Sequence, residues 1–200
     1  MEGKRMAKGQ RSPDRKEHIV SESYALILEY GLSGTTTARI AARVGVTEAA
    51  LYRHFKNRRE ILLSVLEQVA ARFLNVLICD EQNVPDYIQT ISLALYRYIM
   101  NHPEDAKVIY EFVCAPPAEN LRSTFQNRLM EMLVFLEELL TKGISQGTIR
   151  SDINPRRIAW ELFGLGSAIS FAALLDFQQE LSEDLAMASL EQFVSRIRSN

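Results

Sequence analysis

Between positions 35 and 59 the chain reads TTTARIAARVGVTEAALYRHFKNRR, and most of its side chains with chemistry to offer lie there. Thr35, Thr36 and Thr37 open an apolar-periodic run, where a hydroxyl can cap a helix or bond a phosphate. Glu48, Ala49 and Ala50 open a second run. The two alanines have almost no bulk, so a helix tip made of them can approach base edges, and an alanine methyl can touch a thymine methyl. Tyr52 and His54 can reach phosphates, and Arg53 can reach a phosphate or a guanine. Lys56, Arg58 and Arg59 then crowd the start of the next helix, an end that disfavours cations. A nucleic-acid backbone would compensate them. This is chemistry for gripping a polyanion and touching its bases.

Two short helices must position these groups. Ile40, Ala41 and Val44 share one face of the first, with Thr36 as its cap. Gly45 can adopt the left-handed conformation that ends helices, and Val46 plugs the turn into the core. Thr47 caps the second helix, which runs to Phe55. Leu51 and Phe55 are four apart and pack inward. Glu48, Ala49, Ala50, Tyr52, Arg53 and His54 are left outside, on a helix shaped to enter a major groove.

The joint pattern, Thr36 through Gly45-Val46 to Leu51-Tyr52-x-x-Phe55-Lys56, resembles the DNA-binding domain of the TetR/AcrR family of transcriptional regulators over roughly the first third of the chain. The resemblance implies phosphate contacts at Thr36 and Thr37. It implies base contacts at Glu48, Ala49 and Ala50, and backbone or base contacts at Tyr52, Arg53 and His54. The position of Arg58 is a phosphate-binding cation in the family, usually Lys. Two departures stand out. Ala38 lacks the long polar side chain that reads a base in some members. Glu48 puts an acid at the groove-facing tip, where it can accept from a cytosine amino group or stabilise the helix N-terminus.

Charge is divided along the chain. Residues 1–64 hold 12 Lys and Arg against 7 Asp and Glu; residues 65–200 hold 11 against 18, so a head of +5 and a body of −7 make the net −2. A basic head on an acidic body fits a protein that binds nucleic acid with one end. The first residues, MEGKRMAKGQRSPDRKE, lack the apolar core of a secretory signal and read as a basic arm or an unordered tail. Cys79 and Cys114 are the only cysteines, which gives no disulfide framework and no metal spacing. A cytoplasmic setting is expected.

The remainder reads as helix after helix. Pro13 and Asp14 open a first helix that ends at Tyr30-Gly31. Later helices are expected over 57–80, 85–101, 103–115, 118–146, 155–179 and 183–198. The expected class is all-α with about nine helices. A three-helix DNA-binding domain with a helix-turn-helix is expected over 13–73 (motif about 35–54), then a helical ligand-binding and dimerisation domain over 74–200.

The helix at 155–179 is apolar nearly all round, with Glu161 and Asp176 the only charges between Ile158 and Phe177. Burial on several sides explains that, and a membrane span competes poorly given Glu161, two glycines and two serines. A two-fold dimer can cover such a helix by packing the last two helices as a four-helix bundle. Trp160, Gly164, Ala168, Ala172, Leu190, Phe193 and Val194 are expected at that interface. The resemblance implies the same arrangement, presenting two heads to a palindromic operator.

The resemblance further implies a repressor released from DNA by a small molecule. Tyr96, Tyr110, Phe112, Phe125, Phe163 and Phe171 could line a pocket for an apolar or amphipathic effector, although ordinary core packing accounts for each alone. A ligand-independent or partner-regulated DNA-binding protein of the same fold is the alternative. An enzyme is not expected, for want of a nucleophile with a base, a metal spacing or a phosphate-cradling glycine loop. No cofactor and no membrane partner are expected.

Overall fold

The computed structural model describes residues 12–78, 83–116 and 120–199. Among these residues the chain forms nine helices: α1 (Ser12–Gly34), α2 (Thr37–Val44), α3 (Glu48–Leu51), α4 (Arg58–Val76), α5 (Val84–Asn101), α6 (Pro103–Val113), α7 (Leu121–Ser145), α8 (Pro155–Leu174) and α9 (Glu183–Ile197). The all-α class holds. The one β-type pairing among the described residues is an isolated antiparallel bridge between Ile149 and Arg198. Cys79 and residues 1–11 of the basic arm lie outside the described residues.

Contacts divide the chain into two compact units, Met1–Gln68 and Val69–Asn200, with the division inside α4. In the first unit α1 leaves helical geometry at Gly31 (φ 67°, ψ 176°), a conformation open to glycine, which is where the sequence places the helix end. The turn that follows brings the chain to α2. Ile19, Leu26, Ile27, Ile40, Leu51, Ile61 and Leu62 are at most 2% exposed, so three short helices and the start of α4 enclose a dry centre. Burial of such side chains contributes about 1.5–3 kcal/mol each.

In the second unit α8 packs against α5, α6 and α7, and α5 also meets α9. One cluster joins Val84 and Ile88 of α5, Leu133 and Leu140 of α7, Ile158 and Ala159 of α8, and Leu190, Phe193, Val194 and Ile197 of α9. A second joins Tyr96 and Ile99 to Ile169, Ala173 and Ala186. The segment after α7 folds back so closely that a Cβ on Gly143 would lie 2.8 Å from Ile149.

Several helices stop short of expectation, α8, α4 and α3 among them. α8 ends at Leu174, not 179: Asp176 takes a left-handed φ of 57°, and the Phe177 N–H donates to the Ala172 carbonyl at 2.8 Å. Aspartate tolerates that conformation where larger side chains resist it. α4 ends at Val76, with Leu77 in a turn. In α3 only Glu48–Leu51 is regular helix; Arg53 and His54 continue with tightened bonds from their N–H groups to the Ala50 and Leu51 carbonyls at 3.3 and 2.9 Å.

Candidate nucleic-acid interface

The caps expected from sequence form. Thr36 has extended backbone (φ −81°, ψ 158°), and its hydroxyl accepts from the Arg39 N–H at 3.3 Å. Gly45 ends α2 in the left-handed region (φ 73°), and the Val46 N–H closes on the Ala41 carbonyl at 2.9 Å. Thr47 caps α3 by accepting from the Ala50 N–H at 3.2 Å. Each cap satisfies a donor that a helix start leaves unpaired.

Leu51 and Phe55 are buried, at 0% and 2% exposure. That orients the rest of the segment outward. Thr36, Glu48, Ala49, Tyr52, Arg53 and Lys56 are exposed; Thr37, Ala50 and His54 are half-buried. A small-residue tip with an aromatic and cations behind it is therefore on the surface of the first unit.

Arg58 does something else. It is half-buried, its Nε donates to the Thr35 carbonyl at 2.7 Å, and its Nη2 donates to the Leu32 carbonyl. Those carbonyls lie in the turn past the break at Gly31, which leads into α2. The cation that α4's N-terminus disfavours is thus held by two backbone carbonyls of that turn.

Several positioning groups carry only faint sequence signals. Asn57 caps α4 by accepting from the Glu60 N–H at 2.9 Å, and the Glu60 carboxylate accepts from the Lys56 N–H at 2.6 Å. The Asn-x-x-Glu spacing was the available clue. Arg39 donates to the Gly34 carbonyl at 2.7 Å and stacks over the Tyr30 ring at 4.4 Å. Arg43 grips Glu29 with two bonds of 2.9 and 2.6 Å. That guanidinium holds the Glu29 carboxyl below its ordinary value, and the carboxylate raises Arg43.

The second unit separates its expected interface residues into two sets. Trp160 is 46% exposed, and Gly164 and Ala168 are exposed. With Phe171 (52%) and Leu175 (56%) they line one face along and just past α8. Ala172, Leu190, Phe193 and Val194, at 7%, 5%, 5% and 1% exposure, pack within this chain. Their helical register points them inward, which composition alone does not reveal. By length and composition α8 could cross a membrane. Glu161, half-way round it, pairs with Arg157 at 3.6 Å and Arg196 at 3.3 Å.

The six candidate pocket aromatics are dispersed. Phe112 is fully buried and Tyr96 is 6% exposed, its hydroxyl donating to the Leu181 carbonyl at 2.7 Å. Tyr110 stacks on Phe171 at 4.9 Å, Phe163 meets Trp160 edge-on at 5.7 Å, and Phe125 is half-buried. A groove of about 250 Å³ on α5 and α9 is lined instead by Gln89, Thr90, Leu93, Met187, Leu190 and Glu191.

A polar knot in this unit went unnoticed in the sequence. Asp105 of α6 is 1% exposed; it accepts from the Arg72 guanidinium of α4 at 2.8 Å and from the Tyr98 hydroxyl of α5. Burial, then the carboxylate beside it, pushes the Tyr98 hydroxyl well up from its ordinary value. The Tyr98 ring also packs edge-on against Phe73 at 5.2 Å.

Residues 19–65 match the sequence model of bacterial regulatory proteins, tetR family. The chain is 29% identical over 150 residues to the nucleoid occlusion factor SlmA of Marinobacter nauticus, covering 74% of this chain and 75% of that one. To the SlmA of Salmonella newport it is 31% identical over 109 residues, and the match spans about half of each protein, 52% of this chain and 55% of the relative. Among solved structures, a TetR transcriptional regulator from Chloroflexus aurantiacus superposes with a TM-score of 0.78 at 19% identity, over 94% of this chain and 98% of that one. The SmeT–triclosan complex superposes with a TM-score of 0.75 at 21% identity, over 94% and 93%. The helix-turn-helix geometry, the match over residues 19–65 and the shared fold together support a DNA-binding transcriptional regulator of the TetR family.

Proposed function

We propose that the chain works in the cytoplasm as a homodimeric repressor, released from a palindromic operator by a small apolar or amphipathic effector. Residues 13–73 form the DNA-binding domain and 74–200 the effector-binding and dimerisation domain. Glu48, Ala49 and Ala50 face bases; Thr36, Thr37, Tyr52, Arg53, His54 and Lys56 hold the backbone around them. The observation that carries the reading is the bare Ala49–Ala50 tip, with Ala49 exposed and Ala50 half-buried beside the exposed Tyr52 and Arg53, while Leu51 and Phe55 lock the segment from below. The exposed apolar face of Trp160, Gly164 and Ala168 is the surface a second copy would cover. No catalytic role is assigned.

The effector class is supported by the triclosan complex of SmeT, a fold neighbour with a small aromatic ligand. A second reading is partner control without a small ligand. It is favoured by relatives named for nucleoid occlusion, and by a groove that none of the six aromatic candidates lines. The deciding experiment screens apolar and amphipathic compounds for a rise in melting temperature and, in parallel, for loss of operator binding. The proposal expects compounds that do both, since an effector acts only through its preference for one state. Compounds that stabilise without releasing DNA, or a screen with no hits, favour partner control.

A further inference from the structure

We propose that Arg58 is a positioning residue that sets the pose of the reading helix, and that it contributes nothing to the phosphate grip. The inference rests on the DNA-binding reading above and deepens it. The side chain offers two nitrogens of one guanidinium edge, Nε and Nη2, to two carbonyls three residues apart, Thr35 and Leu32. A planar fork with fixed donors suits that two-point bridge; a lysine ammonium is a compact point charge on a flexible stem. The bridged turn is itself tightly built. Thr35 is fully buried, its hydroxyl donates to the Gly31 carbonyl at 2.8 Å, and its N–H donates to the Leu32 carbonyl at 3.1 Å.

The bridge reaches the reading helix through short covalent steps. Thr36, next to the bridged Thr35 carbonyl, caps α2 with both its hydroxyl and its carbonyl, the latter taking the Ile40 N–H at 2.9 Å. α2 in turn packs on α3. From the other side, Arg58 opens α4 three residues after Phe55, the buried end of the reading segment. Arg58 therefore ties the entry to α2 and the exit from α3 to one frame. A looser frame costs most where contacts need fixed geometry, at bases, and least where any nearby phosphate will serve.

The test measures operator and non-operator affinity across a salt series for wild type, Arg58→Lys and Arg58→Ala, each below its melting temperature. The expected result is a loss of operator affinity on the order of tenfold in both variants. Non-operator affinity and the slope of log affinity against log salt should stay at wild-type values. Lysine should fail to rescue, although it keeps the charge. A phosphate contact gives the opposite pattern: Arg58→Lys near wild type, and Arg58→Ala weaker on all sequences with a slope shallower by about 0.9. That pattern overturns the proposal. So does a proportional loss of both complexes in Arg58→Lys, which marks a loss of folded protein alone. Wild type without any operator preference would instead sink the DNA-binding reading on which the proposal stands.

Discussion

The first unit and the second are both stacks of amphipathic helices, yet they hide different things. In the first, each side chain of interest is fixed by a cap or a core anchor a few residues away: Thr47 for Ala50, Leu51 and Phe55 under Tyr52 and Arg53. In the second, the decisive contacts join distant segments, as when Asp105 gathers Arg72 and Tyr98 from two other helices. Local coding makes a surface that can be read residue by residue. Distant coding makes a body whose stability rests on a few buried meetings and whose outer face is known only after folding.

The comparison breaks most sharply at Asp105. Asp105→Ala leaves the Tyr98 hydroxyl and the Arg72 guanidinium without their buried acceptor. A loss of about 3 kcal/mol in urea-measured stability is expected, because the Tyr98 hydroxyl loses its charged acceptor and Arg72, 40% exposed, loses its ion pair. A loss below about 1 kcal/mol would mean that the body is not held by this knot. Tyr98→Phe should cost less, about 1–2 kcal/mol, as the loss of one hydrogen bond to a charged group.

Next in size is an effect on binding with no effect on folding. Ala49→Leu adds bulk at an exposed tip position. Operator affinity should fall on the order of 100-fold, about 2.7 kcal/mol, while the thermal melt stays within about a degree of wild type, as expected of a surface change. Retained operator specificity would place the tip away from the bases.

The smallest effect is expected at Glu29, whose pair with Arg43 sits on the surface of the first unit. The guanidinium lowers the Glu29 carboxyl, so the pair's contribution is present above the ordinary carboxylate range and fades as pH falls through the lowered value. Exposed pairs of this kind contribute little. Glu29→Gln should be hardly distinguishable from wild type at neutral pH, and the remaining difference should vanish in acid. A large loss at neutral pH would mean that the first unit, too, depends on a single ionic contact.

The same contrast explains what could be read before folding. Gly45, Thr36, Thr47, Leu51 and Phe55 announced their roles because turn geometry, capping and helical spacing are short-range rules. The phosphate role expected of Arg58 comes from the family resemblance, and nothing near it in sequence announces its partners within the fold. The partners are carbonyls more than twenty positions earlier in the chain. In the body, Leu190, Phe193 and Val194 are expected at a dimer interface and are buried within the chain itself; apolar residues look alike in sequence whether a core or a second copy covers them. The end of α8 was missed because Asp176, rather than glycine or proline, makes the turn. Trp160, Gly164 and Ala168 lie exposed at four-residue spacing on α8, a face that the apolar composition of the helix hints at without fixing.

The proposed function requires paired heads that present the Glu48–Ala50 tip to a duplex. It is tested most directly by footprinting the purified protein on the DNA flanking its own gene, with its mass in solution determined alongside. The account predicts a dimer that protects a palindrome with half-sites about one helical turn apart or a multiple of it, with affinity falling steeply as salt rises. A monomer that protects nothing and shows no affinity for duplex DNA at low ionic strength would contradict it.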